Sequence, residues 1–114
     1  MSEESMIEFV ENEDYIIARI NIKRIDVSNI DEINTLLNKI DDKKDLILDI
    51  SQLQFIDSSG IGVIAGLYKK YKKKGKIFGL LGANCRITGI LDIIGLTCIV
   101  KIFYSIEDYL RVKK

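Results

Sequence analysis

"LILDISQLQFIDSSGIGVIAGLYKKYKKKGKIFGLL", residues 46–81, carries two apolar patterns in one stretch. "LILDI" (46–50) is a short apolar run with one acid, the pattern of a strand buried on both faces. From Ser59 to about Lys74, Ile61, Ile64, Leu67, Tyr68 and Tyr71 recur at helical spacing and form one apolar stripe. Gly75 follows at the place of a left-handed helix cap. "KIFGLL" (76–81) then repeats the buried-strand pattern. Strand, helix and strand in this order imply a parallel βαβ unit.

Working outward, the rest of the chain extends that alternation. "MIEFV" (6–10) alternates apolar and polar residues, "ENED" (11–14) is an acidic break, and "YIIARINI" (15–22) is a second strand. Together they predict an antiparallel hairpin. "DVSNIDEINTLLNKI" (26–40) places Ile30, Ile33, Leu36, Leu37 and Ile40 at helical spacing, with Ser28 or Asn29 as N-cap, and "DDKKD" (41–45) closes that helix. "NCRITGILDIIG" (84–95) predicts a helix ending at Gly95, and "TCIVKIF" (97–103) a strand. "SIEDYLRVK" (105–113) predicts a last helix capped by Ser105, with Glu107 and Asp108 in its first turn. The order ββαβαβαβα predicts an α/β fold: a small mixed, mostly parallel sheet, opened by a hairpin and accompanied by about four helices. At 114 residues, with no linker, repeat or proline, the chain reads as a single domain spanning 1–114.

Composition excludes several functions. Lys plus Arg and Asp plus Glu number 17 each, so the chain lacks the basic surplus that non-specific nucleic-acid binding needs. No apolar run approaches the roughly 18 residues of a membrane span. The acidic start "MSEESMIEF" lacks a signal-peptide layout, and a cytoplasmic protein is the expectation. Cys85 and Cys98 match no zinc spacing and are expected as buried core thiols. Histidine is absent, which removes any Ser-His or Cys-His mechanism.

The junction "FIDSSGIG" (55–62) is the stretch with chemical options. Gly60-x-Gly62-x-x-Ala65 satisfies the dinucleotide pattern, but some seven residues (51–57) intervene after "LILDI" and no carboxylate stands about 20 residues on, in "LLGAN". The alternative is that Gly62 and Gly66, one turn apart, let the helix pack closely on the sheet or a neighbour. A serine nucleophile needs a base, and Lys69 and Lys70 lie too far up the helix. The run "KKYKKKGK" (69–76) reads as a solvated helix end, where cations are favoured. Ser58 and Ser59 can cap the helix. A phosphate on either would sit at the positive end of the helix among free N–H groups, beside Asp57, which would repel it.

Taken together, these residues resemble a known family. Asp-Ser-Ser-Gly-Ile-Gly (57–62), the lysine-rich helix end, the strand after Gly75 and Leu-Asp-x-x-Gly-Leu (91–96) resemble the STAS domain of bacterial anti-sigma factor antagonists, the SpoIIAA- and RsbV-like group. The likeness is closest over residues 45–100 and covers the whole chain in element order. It implies a small sheet with helices on one side, no enzymatic activity and no cofactor. It also implies a partner switch. The unphosphorylated domain binds an anti-sigma factor that is itself a serine kinase. Phosphorylation of Ser58, with Ser59 as the alternative, expels the domain, and a metal-dependent (PP2C-like) serine phosphatase reverses the step. Asp26, Asp57, Ser59, Gly60, Ile61, Gly62, Gly95 and Leu96 are the implied partner contacts, and a monomer is expected. Many members carry Gly-Glu-[Leu/Ile]-Asp where this chain has Lys23-Arg24-Ile25-Asp26, which implies a more acidic partner surface or a different partner. Two other roles suit the sequence: an unphosphorylated scaffold or transporter-associated STAS module, and a nucleotide or small-molecule sensor.

Overall fold

The computed structural model of the chain describes residues 6–113. Five strands form one sheet: β1 (Ile7–Glu11), β2 (Tyr15–Ile20), β4 (Asp45–Asp49), β6 (Phe78–Leu81) and β7 (Lys101–Phe103), adjacent in that order. Only β1 and β2 run antiparallel, with Ile7 opposite Ile20 and Glu11 opposite Ile16. The pairs β2–β4, β4–β6 and β6–β7 are parallel. This is the expected sheet. The hairpin turn is held by Asn12, whose Oδ1 accepts from the amides of Asp14 and Tyr15.

Side-chain alternation along the strands decides what each face carries. One face presents Ile16, Ala18, Ile20, Leu46, Leu48 and Leu80. Onto it pack α1 (Ile30–Leu37) through Ile33 and Leu37, α2 (Ser58–Lys73) through Ile64, Leu67 and Tyr71, and α3 (Cys85–Ile93) through Ile87 and Leu91. Each such buried aliphatic side chain contributes roughly 1.5–3 kcal/mol. The opposite face carries a smaller cluster of Ile47, Phe103 and Tyr109, with Tyr15, Ile17 and Leu81 around it. Tyr109 belongs to α4 (Ile106–Lys113), so the last helix covers the other side of the sheet. The resemblance implied helices on one side only, and α4 corrects that. Its ring meets Tyr15 and Phe103 edge-on, at 5.1 and 5.9 Å between centroids. Gly79 makes this stack possible, since a Cβ there would overlap the Phe103 ring.

On the α4 side, Asp45 is buried at the start of β4. In the sequence it falls at the end of "DDKKD" (41–45), the stretch expected to close the first helix. Instead its Oδ1 accepts from the Ile77 amide (2.9 Å), and its Oδ2 accepts from the Tyr109 hydroxyl (2.6 Å) and the Lys113 ammonium (2.9 Å). Burial pushes the carboxyl up, but these donors outweigh it and hold Asp45 below its ordinary value. The same bond to Asp45 holds Lys113 above its ordinary value.

Element ends differ from the sequence reading in instructive ways. The helix expected over 26–40 narrows to Ile30–Leu37, because residues 26–29 close into a turn of their own. The helix expected over 84–95 ends at Ile93, and Gly95 takes the left-handed conformation with φ 81°. A 3-10 turn, Leu96–Cys98, occupies the start of the expected strand 97–103, leaving Lys101–Phe103 for β7. Cys85 and Cys98 are free and exposed, which overturns the buried-thiol expectation: one opens a helix and the other closes the 3-10 turn, so neither faces the core. At α4 the expected cap is reversed, with Asp108 Oδ2 accepting from the amides of Tyr104 and Ser105. At α2 the expected cap holds. Gly75 has φ 70°, its amide donates to Lys72, and the Lys76 amide donates to Tyr71, the paired bonds of a Schellman motif.

Candidate functional site

Two very short strands, absent from the sequence reading, build the site. β3 (Arg24–Ile25) pairs in parallel with β5 (Phe55–Ile56) just before α2 begins. The pairing is anchored where the Asp57 amide donates to the Ile25 carbonyl at 3.1 Å. It sets the loop after β3 beside the mouth of α2. The Arg24 guanidinium lies over the Phe55 ring, 4.3 Å from its centre, and its Nε reaches Asp26 Oδ2 at 3.4 Å.

Asp57 is the N-cap of α2. Its Oδ1 accepts from the amides of Ser59 (3.0 Å) and Gly60 (3.2 Å) and from the Ser59 hydroxyl (2.5 Å). Its Oδ2 accepts from the Val27 amide of the neighbouring loop at 3.1 Å. Ahead of the backbone donors, the Ser59 hydroxyl holds the Asp57 carboxyl below its ordinary value. The expectation that a serine caps the helix is corrected: the carboxylate accepts more bonds and carries a charge suited to the positive helix end. The expectation of free amides for a phosphate is corrected with it, since Asp57 already occupies those of Ser59 and Gly60.

Asp26 is wired in a parallel way. Its Oδ1 accepts from the Ser28 hydroxyl (2.5 Å) and amide (3.0 Å), and the Ser28 hydroxyl is the main cause of its lowered pKa. Asn29 closes the turn, accepting from the Asp26 amide and donating to the Arg24 carbonyl. Asn29 stands at the N-cap position of α1 but makes no side-chain cap bond, because its amide group is spent on this turn.

The two serines now separate. The Ser59 hydroxyl is tied to Asp57. Ser58 is exposed, and no group among the described residues bonds its hydroxyl. Gly60 is buried under both short strands: a Cβ there would stand 2.5 Å from Ile56 Cγ1 and 2.8 Å from Ile25 Cγ2. Its backbone therefore faces packed aliphatic groups, which is no cradle for a dinucleotide. Gly62 and Gly66 are exposed with open space beside them, so the expected close packing at those positions is absent. They line a groove of about 460 Å³ between α1 and α2, together with Ile30, Asn34, Val63 and Ser59. Ile61 is half-buried.

Asp26, Asp57, Ser58, Ser59, Gly60, Ile61 and Gly62 thus gather at one end of the sheet. Gly95 and Leu96 do not. They follow α3, which runs back from the C-terminal ends of the strands, and Leu96 lies in the core. Sequence reasoning missed the contribution of Val27 and Asn29. The only signal for them was the Asp-x-x-Asn spacing, a common turn pattern.

A family model described as "STAS domain" matches residues 6–109. The anti-sigma F factor antagonist of Paenibacillus polymyxa is 40% identical over 58 residues, which are 51% of this chain and 50% of the relative. The match thus spans about half the length of that relative. Among solved structures, a Thermotoga maritima protein provisionally described as an anti-sigma factor antagonist superposes with a TM-score of 0.85 at 24% identity, covering 96% of this chain and 95% of its own. The Bacillus cell fate determinant SpoIIAA in its phosphorylated form superposes with a TM-score of 0.69 at 17% identity, covering 93% of this chain and 98% of its own. At these identities the superpositions speak for the fold alone.

Proposed function

We propose, from the premise that this chain belongs to the STAS domain family, that it acts as an anti-sigma factor antagonist in a phosphorylation-controlled partner switch. The unphosphorylated end of the domain around Ser58 binds an anti-sigma factor with serine-kinase activity and so releases a sigma factor. The kinase moves the γ-phosphoryl group of ATP onto the Ser58 oxygen, the serine proton leaves with the kinase's base, and ADP departs. A serine phosphatase restores the hydroxyl. The domain itself catalyses nothing.

One observation carries this reading: the division between the two serines. Ser59 is held by the cap, whereas Ser58 is exposed with a free hydroxyl. A phosphate there adds a charge of about −1.5 to −2. It stands beside Asp57, which already takes the amides of Ser59 and Gly60, so those two amides are not left to neutralise it. The charge therefore meets the incoming partner. Asp26 and Asp57 act as shaping groups, and Ile61, Gly62 and the groove between α1 and α2 supply the apolar contact. Lys23 and Arg24, where many relatives have Gly-Glu, favour a partner with acidic side chains opposite that loop.

The test uses the purified chain, its candidate kinase and ATP. Ser58→Ala should take up no phosphate while Ser59→Ala still does; the reverse pattern moves the site to Ser59. Ser58→Asp should weaken binding to the anti-sigma factor by at least about ten-fold, the range for a misplaced charge at an interface. Undiminished binding would sink the expulsion mechanism.

A further inference from the structure

At the far end of α2 the chain carries a feature that the partner switch does not use. A groove of about 290 Å³ runs between the last turns of α2 and the starts of β6 and β7, lined by Tyr68, Lys72, Lys76, Ile77, Ile99 and Lys101. Ile99, 50% exposed, and the Tyr68 ring supply its apolar lining, with the Lys72 ammonium 5.5 Å from the centre of that ring. Its rim is cationic. Lys70 and Lys74 on the same helix turn to Asp42, at 3.8 and 3.1 Å. Among the described residues, no carboxylate lies within ion-pair distance of Lys72, Lys76 or Lys101. The helix dipole accounts for Lys72 in the last turn. It does not account for Lys76, which lies beyond Gly75, or for Lys101, which comes from β7. A helix, the turn after it and a strand converge on one patch of positive charge without a paired carboxylate, in a chain whose net charge is zero.

We propose that this groove is a second docking surface, for a short acidic protein segment that carries one or two apolar side chains. The carboxylates would meet the three lysines, and the apolar groups would cover Ile99 and Tyr68. A phosphate or nucleotide fits less well, because such ligands are bound chiefly through backbone amides. Here the amides of Gly75, Lys76 and Ile77 are already donated to Lys72, Tyr71 and Asp45. The surface also goes beyond the switch. The 16 residues of α2 span roughly 24 Å, well past the Debye length of about 8 Å at physiological salt, so charge at Ser58 is screened from it. Both ends can be occupied together.

The test begins with selection of twelve-residue peptides from a random library on the immobilised full chain. Selected peptides are then titrated against isotope-labelled chain and followed by NMR. A class rich in Asp, Glu and large apolar residues should appear, shifting the amides of Tyr68, Lys72, Ile99 and Lys101. Lys72→Glu/Lys101→Glu should weaken that class about ten-fold or more. Both positions are exposed, and the amide spectrum checks that the variant stays folded. Ser58→Asp should leave the affinity unchanged. The proposal fails if no acidic class is selected, if the double variant binds equally well, or if removing the apolar residues from a selected peptide costs nothing. It fails also if inorganic tripolyphosphate displaces the peptides at equal concentration, which would make the groove a simple anion site.

Discussion

Asp57 and Asp45 stand at opposite ends of the parallel strands, and both are held below the ordinary carboxylate value. Asp57 is half-exposed and bonds almost entirely to backbone amides and to a serine two residues away. Asp45 is buried, and its partners Tyr109 and Lys113 come from the far end of the chain. The first arrangement ties the helix mouth to the Val27 loop and leaves a neighbouring hydroxyl free. The second is long-range and fastens α4 to the sheet. A carboxylate wired to backbone amides at a helix mouth shapes a surface; one wired to side chains from the last helix holds the fold closed.

Removing Asp45 should give the largest effect. Asp45→Ala leaves the Tyr109 hydroxyl, the Ile77 amide and Lys113 without their acceptor. It should cost about 3 kcal/mol, read as a lower midpoint in denaturant unfolding. Acid adds a second reading of the same contrast. A carboxyl held low in the folded state stabilises above its ordinary value of 3.8, and that stability fades as pH falls below it. Asp45→Asn should therefore shrink the drop in melting temperature between about pH 6 and about pH 3. An unchanged drop would place the acid sensitivity at Asp57, Asp26 and Asp42 instead.

A smaller effect separates the glycines of the helix mouth. Gly60→Ala forces a methyl against Ile56 and Ile25 and should destabilise by about 1–3 kcal/mol, with chemical-shift changes in both short strands. Gly62→Ala, two residues on, meets open space and should stabilise by roughly 0.5–1 kcal/mol, since alanine is the better helix former. If the two variants behave alike in thermal unfolding, the packing account of the mouth is wrong.

The sheet order was legible because buried strands and amphipathic helices have different periods, and 46–81 shows both side by side. The position of Ser58 on an exposed helix mouth was legible for the same reason. What escaped has physical causes. β3 and β5 are two residues long, too short for any period to register. "SIEDYLRVK" is amphipathic whichever face of the sheet it covers, so the location of α4 could not be read from it. "DDKKD" looks like a polar helix end, and nothing local distinguishes Asp45 from Asp41 or Asp42. Serine and aspartate are both good caps. Only the geometry reveals that Asp57 caps while Ser59 helps it and Ser58 stands apart. The cysteines were misplaced because a thiol's usual burial is a statistical habit, not a pattern in the surrounding residues.

The small β3–β5 pairing has a consequence for how information leaves this molecule. Asp57 is bonded to the first turn of α2, to the Ile25 carbonyl of β3 and to the Val27 amide, so the helix mouth is braced against the neighbouring strand and loop. On the reading proposed above, the modified domain keeps its shape and gains negative charge at one spot. The message is written on a rigid tablet, and the whole task of responding to it falls to whichever protein reads it.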